Sequence, residues 1–356
     1  MNVVDILHEA VRLEASDVIL SAGAPITYHV HGRLVTGSRD RTLTDKESET
    51  LAYQLLRPDQ KKTFETEKEL DLSFHLKDVA RFRVSVYRQR GTVAAVLRIV
   101  PLVIPHYRAI GIQETLLLKL LNTPSGLILV TGPTGAGKST TVASLLDHLN
   151  TDWSTPRHII TIEDPIEFLL DSRVCVIDQR ELGPDTKSYV AGLRSALRQM
   201  PHIIFVGEMR DRETMEVALT AAETGNLVIS TLSTQSAART INRVIDVFPL
   251  QDQVEIRARL ALTLKAVISQ VLLPRQDVSG RVAAREIMFV TGSIANLIRE
   301  GKIHQINNVM AGSFSDGMVL MDDSLMQLQR DGVVSLGDVL PRLQDKQRTR
   351  ELMKSA

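Results

Sequence analysis

Hydrophobic and polar positions along this chain follow two rhythms: the three-to-four-residue spacing of an amphipathic helix and the two-residue spacing of a half-buried strand. Val4, Leu7, Ala10 and Val11 recur at helical spacing and predict a helix over residues 3–15. Val18-Ile19-Leu20 and Ile26 to Val30 predict short strands, with Gly23 and Pro25 in the turn between them. Thr44-Asp45 predicts the cap of a helix running to about Leu56, before Pro58. Strands follow at Leu70 to Leu76, Arg81 to Tyr87 and Thr92 to Ile99, the last carrying Arg98. The middle one alternates: Phe82, Val84 and Val86 face one side, Arg81, Arg83 and Ser85 the other.

From Pro101 to about Gly111 the periodicity breaks around Pro101 and Pro105, which predicts a short linker. Beyond it, strand-like and helix-like segments alternate. Gly126 to Val130 reads as a strand, followed by a glycine turn and a helix from Lys138 to about Leu149. His158 to Ile162, Ile203 to Val206 and Leu227 to Thr231 read as buried strands. Arg194 to Met200 ends one helix, and Glu213 to Glu223 forms another, closed by Gly225. Such alternation implies an α/β domain with a mainly parallel sheet covered on both faces. After about Val254 the pattern reads as mostly helical, with one strand near Ala283 to Phe289. The expected division is therefore 1–100, a linker 101–111, and 112–356 with a helical C-terminal part.

The chain has 356 residues, 44% apolar and 24% charged, enough for two globular cores. Lys plus Arg and Asp plus Glu are equal at 42 each, which argues against nucleic acid as the main partner. Cys175 is the one cysteine, so no internal disulfide can form; its apolar run, Val174 to Ile177, predicts a buried structural thiol. The N-terminus lacks the basic start and apolar core of a signal peptide, and no run approaches the ~20 apolar residues of a membrane span. A cytoplasmic protein without direct membrane insertion is expected, reaching a membrane only through a partner.

Gly132-Pro133-Thr134-Gly135-Ala136-Gly137-Lys138-Ser139, with Thr140 behind it, fits the phosphate-loop pattern G-x-x-x-x-G-K-[ST]. Glycines let the backbone curl until several N–H groups point inward at an anion, and the following helix aims its positive end at the same place. Lys138 is the candidate for the β- and γ-phosphates, and the Ser139 hydroxyl for Mg²⁺. A chance match occurs in on the order of one in a hundred chains of this length. The strand before the loop and the helix after it make ATP binding the expectation. Two further strand ends carry acids: Glu163-Asp164 and Glu208 with Asp211. In a parallel sheet these ends share one edge with the loop, so Glu163 and Glu208 are candidates for orienting water or holding the metal's waters. Asp164 and Asp211 are read either in the same way or as turn acids capping helices.

Ile159 to Glu167 resembles the aspartate box of the type II and type IV secretion ATPases, and Val206 to Asp211 resembles their Walker B region. Ala15-Ser16-Asp17, Ser21-Ala22-Gly23, Arg81 to Val84, Arg243 to Pro249, Leu297 to Lys302 and Gly317-Met318 match in order. The closest resemblance is to the PilT/PilU-type motors that retract type IV pili. It implies a PAS-like α+β domain ahead of a RecA-like P-loop ATPase domain, and six subunits in a ring. It also implies that N-terminal arginines reach the γ-phosphate; Arg81, Arg83 and Arg98 are the matching positions, against the alternative of a solvated strand face.

The chain departs from the family at its histidine box. Asn226 and Ser233 stand where the family carries histidines, and neither can take up a positive charge. The usual Asp-Pro-Asp before the Walker B strand is Met200-Pro201-His202, with His202 read as structural. The function implied is a hexameric ATPase driving pilus retraction and twitching motility. It would work on an inner-membrane platform protein, beside the membrane, with a paralogous retraction ATPase as a further partner. The alternative is a PilU-like accessory motor with weak activity, which the missing histidines favour. A nucleotide-gated ring without catalysis is disfavoured by intact Lys138, Glu163 and Glu208. An assembly ATPase is disfavoured by the absence of a tetracysteine site.

Overall fold

The computed structural model describes residues 2–30, 33–37, 41–77, 79–100, 103–151, 155–313 and 316–345. The chain forms two compact units, one of residues 1–103 with 167–169, the other of 104–166 and 170–356.

The first unit contains α1 (Val3–Arg12), β1 (Ala15–Ser21), β2 (Thr27–Val30), β3 (Arg33–Thr36), α2 (Asp45–Tyr53), α3 (Pro58–Glu67), β4 (Glu69–Leu76), β5 (Ala80–Gln89) and β6 (Thr92–Val100). The strands make one six-stranded antiparallel sheet in the order β3-β2-β1-β6-β5-β4. Leu7, Leu51 and Phe64 of the three helices join Val18, Leu20, Phe82, Val84 and Leu97 in a single core. Thr44 caps α2 as its sequence predicts: its hydroxyl accepts from the Glu47 amide and the Glu47 carboxylate accepts from the Thr44 amide. Pro58 opens α3 at a position where its missing N–H leaves no helical hydrogen bond unmade.

The second unit holds β7 (Gly126–Thr131), β8 (His158–Glu163), β9 (Val176–Glu181), β10 (Ile203–Val206), β11 (Leu227–Leu232), β12 (Leu264–Pro274) and β13 (Arg281–Phe289). They form a seven-stranded sheet in the order β13-β12-β7-β11-β10-β8-β9, parallel except for β13. Every residue of β7, β10 and β11 is buried, as a sheet covered on both faces requires. The helices are α4 (Glu114–Leu121), α5 (Lys138–Leu149), α6 (Tyr189–Ala196), α7 (Arg212–Glu223), α8 (Ala237–Asp246), α9 (Gln253–Thr263), α10 (Gly292–Glu300), α11 (Ile306–Ala311), α12 (Met321–Arg330) and α13 (Leu336–Val339). The α/β class expected from the alternation is the class found.

The mostly helical reading of the region after Val254 is corrected at β12. This strand begins at Leu264, directly after α9 ends at Thr263, with no glycine or proline to mark the change. It lies between β7 and β13, pairing Val267 with Leu129 and Ser269 with Thr131. A strand buried on both faces has no polar alternation, so its apolar run continues that of the helix before it.

Residues 104–111 lie in the second unit. Tyr107 and Ile112 are buried in its core. Arg285 of β13 donates to the carbonyls of Ile110 (2.7 Å) and Gly111 (3.3 Å), and burial lowers its guanidinium pKa to about 10. Pro101 and Leu102 of the expected linker lie outside the described residues. Cys175 is buried, its thiol donating to the Leu149 carbonyl at 3.4 Å. Among the described residues no helix is long and apolar enough to cross a membrane.

Candidate nucleotide-binding site

At the carboxyl end of β7 the backbone turns through Gly132, Gly135 and Gly137, with φ of 145°, 79° and 81°. These values lie where a Cβ is disfavoured. At Gly132 the demand is also spatial, since a Cβ would run into the carbonyl oxygen of Gln270. Helix α5 starts at Lys138 with Gly137 as its cap; no side chain caps it, so its first amides are left for an anionic ligand. Pro133, Thr134 and Gly135 are exposed, Ala136 is buried, and Lys138, Ser139 and Thr140 are half-buried. The Lys138 ammonium donates to the carbonyls of Gly132 (2.9 Å) and Pro133 (3.2 Å), which places its charge inside the curve of the loop. A glycine cradle that a Cβ would fill, a lysine within it and the Ser139 hydroxyl at the helix start suit a nucleotide di- or triphosphate with its Mg²⁺.

Gln270 on β12 grips this loop from below. Its side chain donates to the Ala136 carbonyl at 2.6 Å and accepts from the Thr141 hydroxyl at 2.9 Å, while its own carbonyl fills the space beside Gly132. The residue is 2% exposed, so both bonds are made out of water, where a lost partner is costly. Beside it Ser269 bonds Thr131, the last residue of β7, at 2.8 Å.

The acids stand on the same edge, because β8 and β10 run parallel to β7 through β11. Glu163 ends β8 and is buried. The Thr161 hydroxyl (2.6 Å) and the Gln179 amide (3.1 Å) both donate to its Oε1. Glu208, one residue beyond Gly207 at the end of β10, is half-buried. Arg210 donates to its Oε2 through Nε at 2.8 Å and Nη2 at 2.7 Å, and the Ser233 hydroxyl donates to Oε1 at 3.1 Å. Asp211 is a helix cap: it accepts from the Thr214 amide at 2.8 Å and the Thr214 hydroxyl at 2.9 Å. Tyr189 reaches between the two strand ends, its hydroxyl 3.1 Å from where a Cβ on Gly207 would stand. Burial, then the charge of Asp164, raises its pKa, so it stays a neutral donor.

The two positions that depart from the histidine box are separated. Ser233 follows β11 at the phosphate edge, against Glu208. Asn226 precedes β11 at the opposite edge, where its amide donates to the Pro201 carbonyl at 2.7 Å. Six residues of strand between them span about 20 Å. Asn226 therefore holds a loop and does not face the phosphate end. His202 lies at the same far edge, accepting from the His158 amide at 3.0 Å through Nδ1.

In the first unit, Arg83 of β5 pairs in register with Arg98 of β6, and Arg98 with Asp17 of β1. Arg81 lies two residues before Arg83, so all three arginines share the sheet face opposite Phe82 and Val84. Arg98 is held by Asp17 at 2.9 Å.

Residues 2–296 match the family model of the type II/IV secretion system protein. This chain belongs to that family. It is 44% identical to the type IV pilus retraction ATPase PilT of Pseudomonas aeruginosa over 335 residues, covering 94% of this chain and 96% of that one. It is 35% identical to the type IV pilus ATPase PilU of the same organism, covering 94% and 87%. A crystal structure of the pilus retraction motor PilT with bound ADP superposes with a TM-score of 0.91 at 41% identity, covering 98% of each chain. The α/β fold is thus that of a secretion-family ATPase.

Three polar side chains of this family member touch the site without belonging to a recognised motif: Gln270, Gln179 and Tyr189. Gln270 was hidden by the helical reading of β12. Gln179 sits on β9, a strand that follows the apolar run at Cys175 and gives only a short alternation. Tyr189 opens α6 behind its cap Ser188, and the Ser-Tyr pair was the available signal.

Proposed function

We propose that this chain is an ATP-hydrolysing motor for type IV pilus retraction, working as a homo-hexamer against a platform protein at the cytoplasmic face of the inner membrane. The observation carrying this reading is a complete phosphate cradle on the same sheet edge as two strand-end glutamates, in a chain 44% identical to a PilT. Gly132 to Thr140 would enclose the phosphates. Lys138 would leave its two carbonyls for the β- and γ-oxygens, and Ser139 would hold Mg²⁺. Bound there, the metal would supply positive charge to offset that of the phosphates. Glu163 would orient the attacking water and take up its proton, and Glu208 would hold the waters of the metal. Residues 1–100 act as a PAS-like domain whose Arg81, Arg83 and Arg98 present guanidinium groups to a γ-phosphate. It is followed by a RecA-like domain that takes the second unit, 104–166 and 170–356.

The test is steady-state ATPase activity of the purified ring beside Lys138→Ala. The parent should turn over ATP, and the variant should lose ADP affinity and turnover while keeping its fold by circular dichroism. Unchanged ADP affinity in the variant would refute the cradle. A PilU-like accessory role is the second reading, favoured by Ser233 at the Glu208 carboxylate in place of the family's histidine. It predicts ATP binding with little turnover until a second motor is added.

A further inference from the structure

Glu163 is held by two neighbouring side chains of its own sheet. In the register of β8 and β9, Thr161 pairs with Gln179 and Glu163 with Glu181, so these four side chains share one face. Two donors, Thr161 Oγ1 at 2.6 Å and Gln179 Nε2 at 3.1 Å, converge on the same oxygen, Oε1. The other end of the Gln179 amide is also engaged, because its Oε1 accepts from the backbone N–H of Leu170 at 2.8 Å. The two bonds fix the amide's orientation. A flip would set its carbonyl against a carboxylate and its NH₂ against an N–H.

We infer that Gln179 is a positioning residue for ATP hydrolysis, aiming the Glu163 carboxylate and tying that aim to the backbone at Leu170. The inference rests on Glu163 being the acid that acts on the attacking water. A carboxylate on a side chain with three rotatable bonds keeps one geometry only if its neighbours remove the alternatives. Thr161 approaches from the carboxylate's own strand and Gln179 from the neighbouring one, so the oxygen is bracketed. The segment after β8 passes Ile166, whose amide donates to Glu181 Oε2 at 3.1 Å, and returns to Leu170. Two of its anchors therefore lie on β9, on either side of Arg180. A shift of that segment reaches Glu163 through one amide.

The experiment measures kcat, KM for ATP and ADP affinity on the full-length ring for Gln179→Leu and Gln179→Glu, each in the parent and in the Glu163→Gln background. Gln179→Leu should lower kcat about tenfold, the worth of one hydrogen bond to a charged group, with KM and ADP affinity within about twofold. Gln179→Glu keeps the size and the Leu170 bond but faces a carboxylate with a second charge. It should lower kcat about a hundredfold. In the Glu163→Gln background both changes should fall within about twofold of that single variant, since the group they aim is already gone. A merely structural glutamine would lower activity equally in both backgrounds and reduce ADP affinity with it, which overturns the inference. So does a parent-like kcat for Gln179→Glu, whose shape and Leu170 bond protect it from misfolding. Should Glu163→Gln alone keep the parent rate, the reading of Glu163 falls and Gln179 falls with it. Loss in Glu163→Gln with none in either Gln179 variant removes the positioning role alone.

Discussion

The two glutamates lie at the same ends of neighbouring parallel strands, Glu163 level with Gly207 and Glu208 one residue further on, and they are held by opposite means. Glu163 is 7% exposed and takes hydrogen bonds from two neutral groups, Thr161 and Gln179. The Glu208 side chain is 24% exposed and is gripped by Arg210, whose own side chain is 76% exposed. A buried hydrogen bond to a charge contributes about 1.5–3 kcal/mol, whereas an exposed ion pair contributes about 0–1 kcal/mol. Glu163 is therefore fixed in advance, and Glu208 can exchange its partner at little cost. One carboxylate is fixed by buried neutral donors and the other is held by an exposed cation.

The sharpest way to break that contrast is to remove each charge without changing size. Glu163→Gln should lower single-turnover hydrolysis by about a hundredfold and Glu208→Gln by about tenfold, both with ATP binding retained. Equal losses would show that pre-positioning makes no difference. A parent-like rate in both variants would make the two acids structural.

What could be read from the sequence follows how locally each feature is encoded. The phosphate loop lies within nine consecutive residues, and each acid follows its strand directly, so one pass along the chain finds them. The capping box at Thr44 and the alternation of β5 are equally local. The groups that hold the site are not. Gln270 contacts Ala136 across 134 positions, and it sits on a strand whose apolar run cannot be told from the end of α9. Gln179 meets Glu163 only because β9 pairs with β8, a register no local pattern announces. The same holds for the histidine-box positions. Seven residues apart in sequence, Asn226 and Ser233 look like one unit until β11 places them at opposite edges of the sheet.

The ion pair at Glu208 gives a smaller and more selective effect. Arg210→Ala should cost at most about 1 kcal/mol of stability, and the difference should vanish near ~0.5 M salt, because exposed charges are screened. Gln179→Leu should cost the same at low and high salt, since its bonds are between an amide and a buried carboxylate. Thermal melts of both variants at two salt concentrations decide this. A salt-independent loss in Arg210→Ala would mean that Glu208 is as firmly fixed as Glu163, and the contrast would fail.

The smallest effects test whether the two departures from the histidine box matter together or apart. Ser233 donates a neutral hydrogen bond to Glu208, so Ser233→His puts a group able to carry charge beside the more loosely held acid. Turnover should rise about threefold, the rate worth of a hydrogen bond of about 0.5–1 kcal/mol. Asn226→His should leave turnover within about twofold, because the residue lies a strand's length from the phosphates. It should cost about 1 kcal/mol of stability through the lost bond to the Pro201 carbonyl. Sites so far apart with no shared partner act additively, so the double variant should turn over like Ser233→His and melt like Asn226→His. A double variant much faster than Ser233→His alone would mean that β11 carries a signal between its two ends. Asn226 would then belong to the site despite its distance. A brisk parent rate with no gain from Ser233→His would mean that the serine hydroxyl already does what the imidazole does, and the accessory-motor reading would lose its one structural support.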